Sequence, residues 1–437
     1  MSPRITSFWR RDHGSVTVFG LYLFMATVAV GAIALDVANA YRMNTHLQVA
    51  ADSAAHAALV TRETEDVSTA KSVALSVANT AMPPERYGDV LRAEDIYFGH
   101  WDADTQSFDI DAGSRDAVLV DTGRLAERGN SLNTVLLRLV GQDDWNIRRP
   151  AVFETYIPTC FREGVVGDDI VEFTSNNVFK SGFCIHSNTA ASFNTGNEFE
   201  TKSIVSMPDR RDVVLPSDGL SSNPGLSAAL RDGSYQLRIL GRIDDIISGV
   251  LNPTSPYFRS WIDSGLLSLD VDRTAKLDDT QFTPHRTHVI ACSTSSQSAK
   301  IHAATVLKDV VIWTNCKLQF GENVVLENTT IVNTNTDTSS ISGASGVQIG
   351  KNDNCAPGGG AQIVTKGGVN FPQYLKMYGG QIIASGDVSF TSDADGIEGA
   401  SIISGGRVDG TTDGVMAFCG GAGMENNFEA LYFKLAF

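Results

Sequence analysis

Five carboxylates near the C-terminus, Asp393, Asp395, Glu398, Asp409 and Asp413, are the densest group of acids in the sequence to which a chemistry can be assigned. On one face of a protein such a set binds Ca²⁺ against a uronate, or divides into an acid and a base for glycosidic bond cleavage. Asp393-Ala394-Asp395-Gly396-Ile397-Glu398 shares part of a Ca²⁺ loop without its full ligand spacing, and Arg407 is the basic residue at hand for a sugar carboxylate. With 50 acidic against 34 basic residues, a solvated acidic turn is the ordinary reading of the same stretch. His285, His288, Cys292 and His302 offer nitrogen and sulfur at a spacing zinc tolerates, but they match no common signature. Gly346-Val347-Gln348-Ile349-Gly350-Lys351 lacks the spacing and the following hydroxyl of a phosphate loop, and neither a Gly-x-Ser-x-Gly nor a His-Glu-x-x-His motif occurs. These residues support no catalytic assignment, no metal and no cofactor, so the expectation is a protein that is not an enzyme.

The cysteines carry a clearer message. Cys160 and Cys184 stand as far apart in sequence as Cys292 and Cys316, with Cys355 and Cys419 left over. Six cysteines fit an oxidising compartment, and the sequential pairing is the simplest of the many open to them, with buried free thiols the alternative. A net charge of −16 argues against nucleic acid as a partner.

The elements that must position these groups begin with the uncharged run Val16–Leu35, preceded by Arg10 and Arg11 and closed by Asp36. As a helix it rises about 30 Å, the depth of a bilayer's hydrocarbon core. The positive-inside rule then leaves the short N-terminus in the cytoplasm and exports most of the chain. A cleaved signal peptide, with Ala38-Asn39-Ala40 as its site, is the rival; the run is longer than a usual signal core and continues as helix toward Ala81. Leu47, Ala50, Ala54, Ala57 and Ala58 place small residues on one face of that helix, a surface suited to close packing. Pro83 and Pro84 end it. Asp95–Trp101, Ala117–Asp121 and Trp145–Tyr156 read as strands, with a helical pattern over Asn133–Val140.

From Cys160 the texture changes to strands of three to five residues broken by Gly and Asn. A parallel β-helix explains so many regular breaks, because its corners need left-handed backbone and each coil takes roughly 20–25 residues. The two equal cysteine spacings are about one coil, which brings each pair within disulfide reach. A sandwich of short strands is the alternative. Between about Pro208 and Arg286, apolar residues recur at helical spacing in Leu226–Leu230, Leu237–Leu251 and Tyr257–Leu267, which predicts a helical insertion.

Arg11-Asp12-His13-Gly14-Ser15-Val16, the apolar run to Asp36, and Leu47-Gln48-Val49-Ala50-Ala51-Asp52 resemble the N-terminus of the TadE/TadG-like Flp pilus-assembly family. Phe98-Gly99-His100-Trp101-Asp102 and Arg128-Gly129-Asn130 fall in the order of that family's small pilin-like domain, so the resemblance spans roughly 9–157. Two family features are missing. No acidic residue stands at Val18, Phe19 or Gly20 after Gly14, and no Asp-x-Ser-x-Ser metal motif is present.

The fold expected is α+β followed by all-β: a transmembrane and long helix with a small pilin-like sheet, then a right-handed parallel β-helix carrying a helical insertion. The boundaries expected are 1–13 cytoplasmic, 14–38 membrane helix, 39–157 long helix and pilin-like module, 158–207 first coils, 208–290 insertion, 291–420 further coils and 421–437 tail. The resemblance implies a single-pass protein of the inner membrane, its bulk periplasmic, acting in Flp/Tad pilus assembly. Its implied partners are membrane lipid and other pilus-assembly membrane proteins, with cell-wall glycan as a further candidate. Gly20, Gly31, Ala54 and Ala58 are the positions expected to pack against partner helices. Asp393, Asp395 and Asp409 are the candidates for Ca²⁺ or glycan in the competing reading, a tethered β-helix that binds or cleaves polysaccharide. A surface adhesin released by cleavage is a third reading.

Overall fold

The computed structural model describes residues 15–263, 265–269, 276–410 and 413–437. Arg10, Arg11 and Gly14, on which orientation and processing depend, lie outside the described residues. The chain divides into two units, Met1–Tyr156 with Leu431–Phe437, and Ile157–Ala430.

The first unit is built on α1 (Ser15–Arg62) and α2 (Val67–Ala81). Residues 16–35 are exposed apart from half-buried Ala32, and α1 is long and apolar enough to cross a membrane. The helix does not run unbroken to Ala81 as its composition suggests. It stops at Arg62, and the Asp66 side chain accepts the backbone N–H of Thr69 to start α2. That reversal lets the alanine face close on itself. Ala51, Ala54, Ala55 and Ala58 of α1 share one core with Ala70, Ala74 and Ala78 of α2. Side chains this small let two helix backbones approach closely.

Against these helices lies an antiparallel sheet. Its strands are β1 (Ile96–Asp102), β2 (Ser107–Ile110), β3 (Ala117–Arg124) and, after the short pair β4 (Leu132–Asn133) and β5 (Asp144–Trp145), β6 (Ile147–Tyr156). The order is β2-β1-β3-β6, completed by Tyr432–Leu435, so the expected C-terminal tail supplies an edge strand paired with β6. The helical pattern at Asn133–Val140 appears only as the 3₁₀ turn Leu137–Val140.

The second unit is a large, almost wholly parallel set of short strands joined in three ladders. One ladder stacks Ile312, Ile331, Ile363, Ile382 and Ile402, continues directly to Val165, and then to Ile185 and Val205. A second stacks Leu318, Ile341, Val369, Val388 and Val408 onto Val171 and Ala191. The third runs from Leu326 through Ile349, Met377, Ile397 and Met416 to Phe179 and Phe199. All these side chains are buried in one core. The stacking is out of chain order, because the earliest strands (164–199) sit on the latest (401–416). The chain between them, 208–290, carries it from one end of the stack to the other.

That connecting segment departs from the helical insertion expected of it. Its longest helix is Ile243–Gly249, and Leu230–Asp232, Leu266–Leu269 and Arg286–Ile290 join the parallel ladders. Gly249 and Asn252-Pro253 cut the periodic run, since neither Gly nor Pro sustains a helix interior. Ile239, Ile243, Ile246, Ile247 and Val250 still bury the apolar face.

Candidate functional site

The six cysteines form the pairs Cys160–Cys184, Cys292–Cys316 and Cys355–Cys419, with Cα separations of 4.8, 5.2 and 5.8 Å. Ile290 and Thr314 are register partners two residues before Cys292 and Cys316, so that disulfide joins the segments that follow two paired strands. Left-handed backbone falls on Asn176, Asn323 and Asn328, residues that tolerate positive φ. Next to Asn176, Asn197 Oδ1 accepts from the backbone N–H and the Nδ2 of Asn177. Asn223 Oδ1 takes the N–H of Asn197, and Asn177 Oδ1 takes that of Gly414. This ladder satisfies amides that burial would otherwise leave unpaired.

Among the described residues, the acidic candidates are not brought together as one site. Glu398 lies on the third ladder beside the Cys355–Cys419 bridge, whereas Asp409 is exposed on the second, in register with Glu172. Arg407 pairs with Glu172. Asp413 occupies an exposed turn, and the side chains of Asp393 and Asp395 lie outside the described residues. The histidine set is dispersed as well. His285 Nδ1 meets the Trp261 carbonyl and His302 Nδ1 that of Ala303; buried His288 holds the Thr283 carbonyl, and Cys292 is in its disulfide. Burial pushes the His288 imidazole below its ordinary pKa, disfavouring its charged form. Among the described residues, the group Cys355, Glu398 and Cys419 is close enough to hold an ion, but its two sulfurs are bonded to each other.

Three features escape a reading of the sequence. His186 lies between Ser206 Oγ, 2.8 Å away, and Asn188 Oδ1, 3.0 Å away, which is the outline of a nucleophile and its base. His186 and Ser206 are buried and Asn188 is half-buried, and the Phe161 and Tyr235 rings pack on the imidazole, so the His186–Ser206 pair bridges strands away from solvent. Glu163, fully buried, accepts the backbone N–H groups of Cys419 and Gly421, fastening the first strand of the unit to its last segment. An open groove of about 350 Å³ is lined by Trp261, Asp309, Glu327, Asn328, Lys351 and Asp353. There Asn328 Nδ2 donates to Asp309 at 2.7 Å, and the Trp261 Nε1–H is buried without a partner.

In the first unit the packing positions separate into two kinds. Gly20 and Gly31 lie on the exposed span, where a Cβ at either position would meet no other part of the chain within 4 Å. Ala54 and Ala58 are fully buried against α2, so the expectation that they meet a partner helix is corrected: the chain's own second helix occupies them. Asp36, read from sequence only as the end of the apolar run, has both carboxylate oxygens engaged. It accepts the N–H groups of Val135, Leu136 and Leu137 at 2.5, 3.0 and 2.8 Å.

Comparison with known proteins places these two parts in families. Residues 14–62, the span and the alanine face, match the family described as putative Flp pilus-assembly TadE/G-like, which associates the chain with Flp pilus assembly. No curated protein and no solved structure matches. Residues 164–420, more than half of the chain and nearly all of the parallel-stranded unit, match the domain of unknown function DUF7867. The chain therefore belongs to the DUF7867 family, with a TadE/G-like module at its N-terminus.

Proposed function

We propose that this protein is a membrane-anchored, non-catalytic structural component of Flp/Tad pilus biogenesis. The observation that carries the reading is the coincidence of the TadE/G-like match at 14–62 with an exposed apolar helix of membrane-spanning length. In this reading α1 crosses the inner membrane once, and a pilin-like module and a right-handed parallel β-helix stand on the periplasmic side. The three ladders are the faces of that β-helix, and the disulfides fit an oxidising compartment. Its partners are lipid and the membrane helices of other pilus-assembly proteins. These helices meet the chain along the exposed span, at Gly20 and Gly31, because the alanine face is already covered.

Photocrosslinking from Leu21 and Val30 in piliated cells tests this, both positions being exposed on the span. Adducts with other pilus-assembly membrane proteins are expected. Adducts with lipid alone would contradict it.

A second reading has one observation in its favour, the groove at Trp261. Aromatic faces and planar amide and carboxyl groups are what a saccharide recognises, and the orphaned indole N–H is a spare donor. Binding of cell-wall glycan fragments to the full chain, lost in W261A, is its test; equal binding by the variant would dismiss it.

A further inference from the structure

The first unit carries an apolar turn fixed at the end of the span. Strands β4 and β5 are joined by a loop that includes Val135-Leu136-Leu137-Arg138-Leu139. Val135 is 46% exposed and Leu139 79%, with Arg138 exposed between them. The turn is nevertheless held firmly. Its three consecutive amides are gathered on Asp36, itself 1% exposed. At the root of the loop Thr134 N–H donates to Asp143 O at 2.9 Å, and Ser131 Oγ donates to Asp144 at 2.8 Å.

Asp36 directly follows Leu35, the last residue of the apolar run. When the run spans the bilayer, the carboxylate marks the edge of the hydrocarbon and the turn is pinned at that depth. Leu and Val side chains there enter the acyl boundary, while a neighbouring Arg reaches headgroup phosphate. On the next turn of α1, Tyr41 is 75% exposed, the residue type enriched at such boundaries.

We propose that the Val135–Leu139 turn is a membrane-interface contact, inserted at the headgroup–acyl boundary, with Asp36 as the residue that sets its depth. A span alone leaves a module free to swivel, and a second contact one residue beyond the span removes that freedom. The proposal rests on the membrane-spanning reading of α1.

The test uses the full chain in vesicles of phosphatidylethanolamine and phosphatidylglycerol. An L139C variant is labelled with a polarity-sensitive fluorophore and compared with S107C, at the exposed start of β2. The label at 139 is expected to shift to the blue and to be quenched by acyl-chain spin-labelled lipid, and the label at 107 to do neither. Adding D36A to L139C is expected to abolish the quenching while the protein stays resistant to carbonate extraction. A carbonate-resistant protein whose label at 139 is as wet as that at 107 would overturn the proposal alone. A blue shift without lipid quenching would mean that protein, rather than lipid, covers the turn, and would also overturn it. Carbonate-extractable protein would overturn the spanning reading and the proposal with it.

Discussion

Removing the carboxylate of Glu163 should loosen the junction between the first and last strands of the parallel unit. The side chain is fully buried, and the residue precedes Gly164–Gly167, the strand paired with Ser401–Ser404. In E163A the N–H groups of Cys419 and Gly421 lose their acceptor. Hydrogen bonds to a charged group are each worth about 1.5–3 kcal/mol, and relief of the buried charge offsets part of the loss, leaving roughly 3 kcal/mol. At a urea slope of about 3 kcal/mol/M the midpoint falls by about 1 M. Burial lifts the Glu163 carboxyl above its ordinary range despite those amides, and nearby Glu398 adds to the rise. The folded state therefore holds the proton to higher pH than the unfolded chain does. Stability from this group is greatest on the acid side and declines as pH rises through the folded value. E163Q, which cannot titrate, should lose that decline. Urea unfolding of the full chain with disulfides intact, followed by the circular dichroism of its β structure at acidic and neutral pH, reads both effects. An E163A midpoint equal to the parent's, or an undiminished pH decline in E163Q, would refute the reasoning.

Other substitutions test the rest of the account. A58L adds volume where two alanine faces meet, and should lower the stability of the first unit by about 1–3 kcal/mol in thermal melts. N197A strips the Asn177 side chain and backbone of their shared acceptor, and should cost about 2–4 kcal/mol in the same urea assay. Arg259 donates to Thr330 Oγ1 and Gln362 Oε1, each at 3.0 Å, and stacks on Phe428 at 4.0 Å. Burial lowers its pKa to about 10, so it stays charged at neutral pH. R259A should release its segment, measured as faster protease cleavage within residues 251–263; an unchanged cleavage rate would show that the arginine does not hold it.

The local rules of the parallel unit are written in its sequence. The equal cysteine spacings are read as one circuit of the stack, and the pairs form. Asn at recurring breaks is read as corner backbone, and Asn176, Asn323 and Asn328 have positive φ. What the sequence hides is order. Every strand has the same Val- and Ile-rich texture, so nothing local says that Ile402 stacks on Val165. Glu163 is hidden for the same reason, because its partners lie more than 250 residues away. The alanine face is legible as a surface for close packing, but its occupant depends on a reversal set by Asp66 and the polar stretch before it. The connecting segment misleads because its apolar periodicity is genuine while glycine and proline cut it into pieces. Asp36 reads as a span boundary, and its grip on a loop a hundred residues away belongs to tertiary structure.

The central claim, a structural role in pilus assembly, is tested most directly by counting surface pili by electron microscopy in cells lacking this gene and in the same cells complemented with the full chain. The account predicts loss of pili in the first and recovery in the second. Normal piliation in the deletion strain would contradict it.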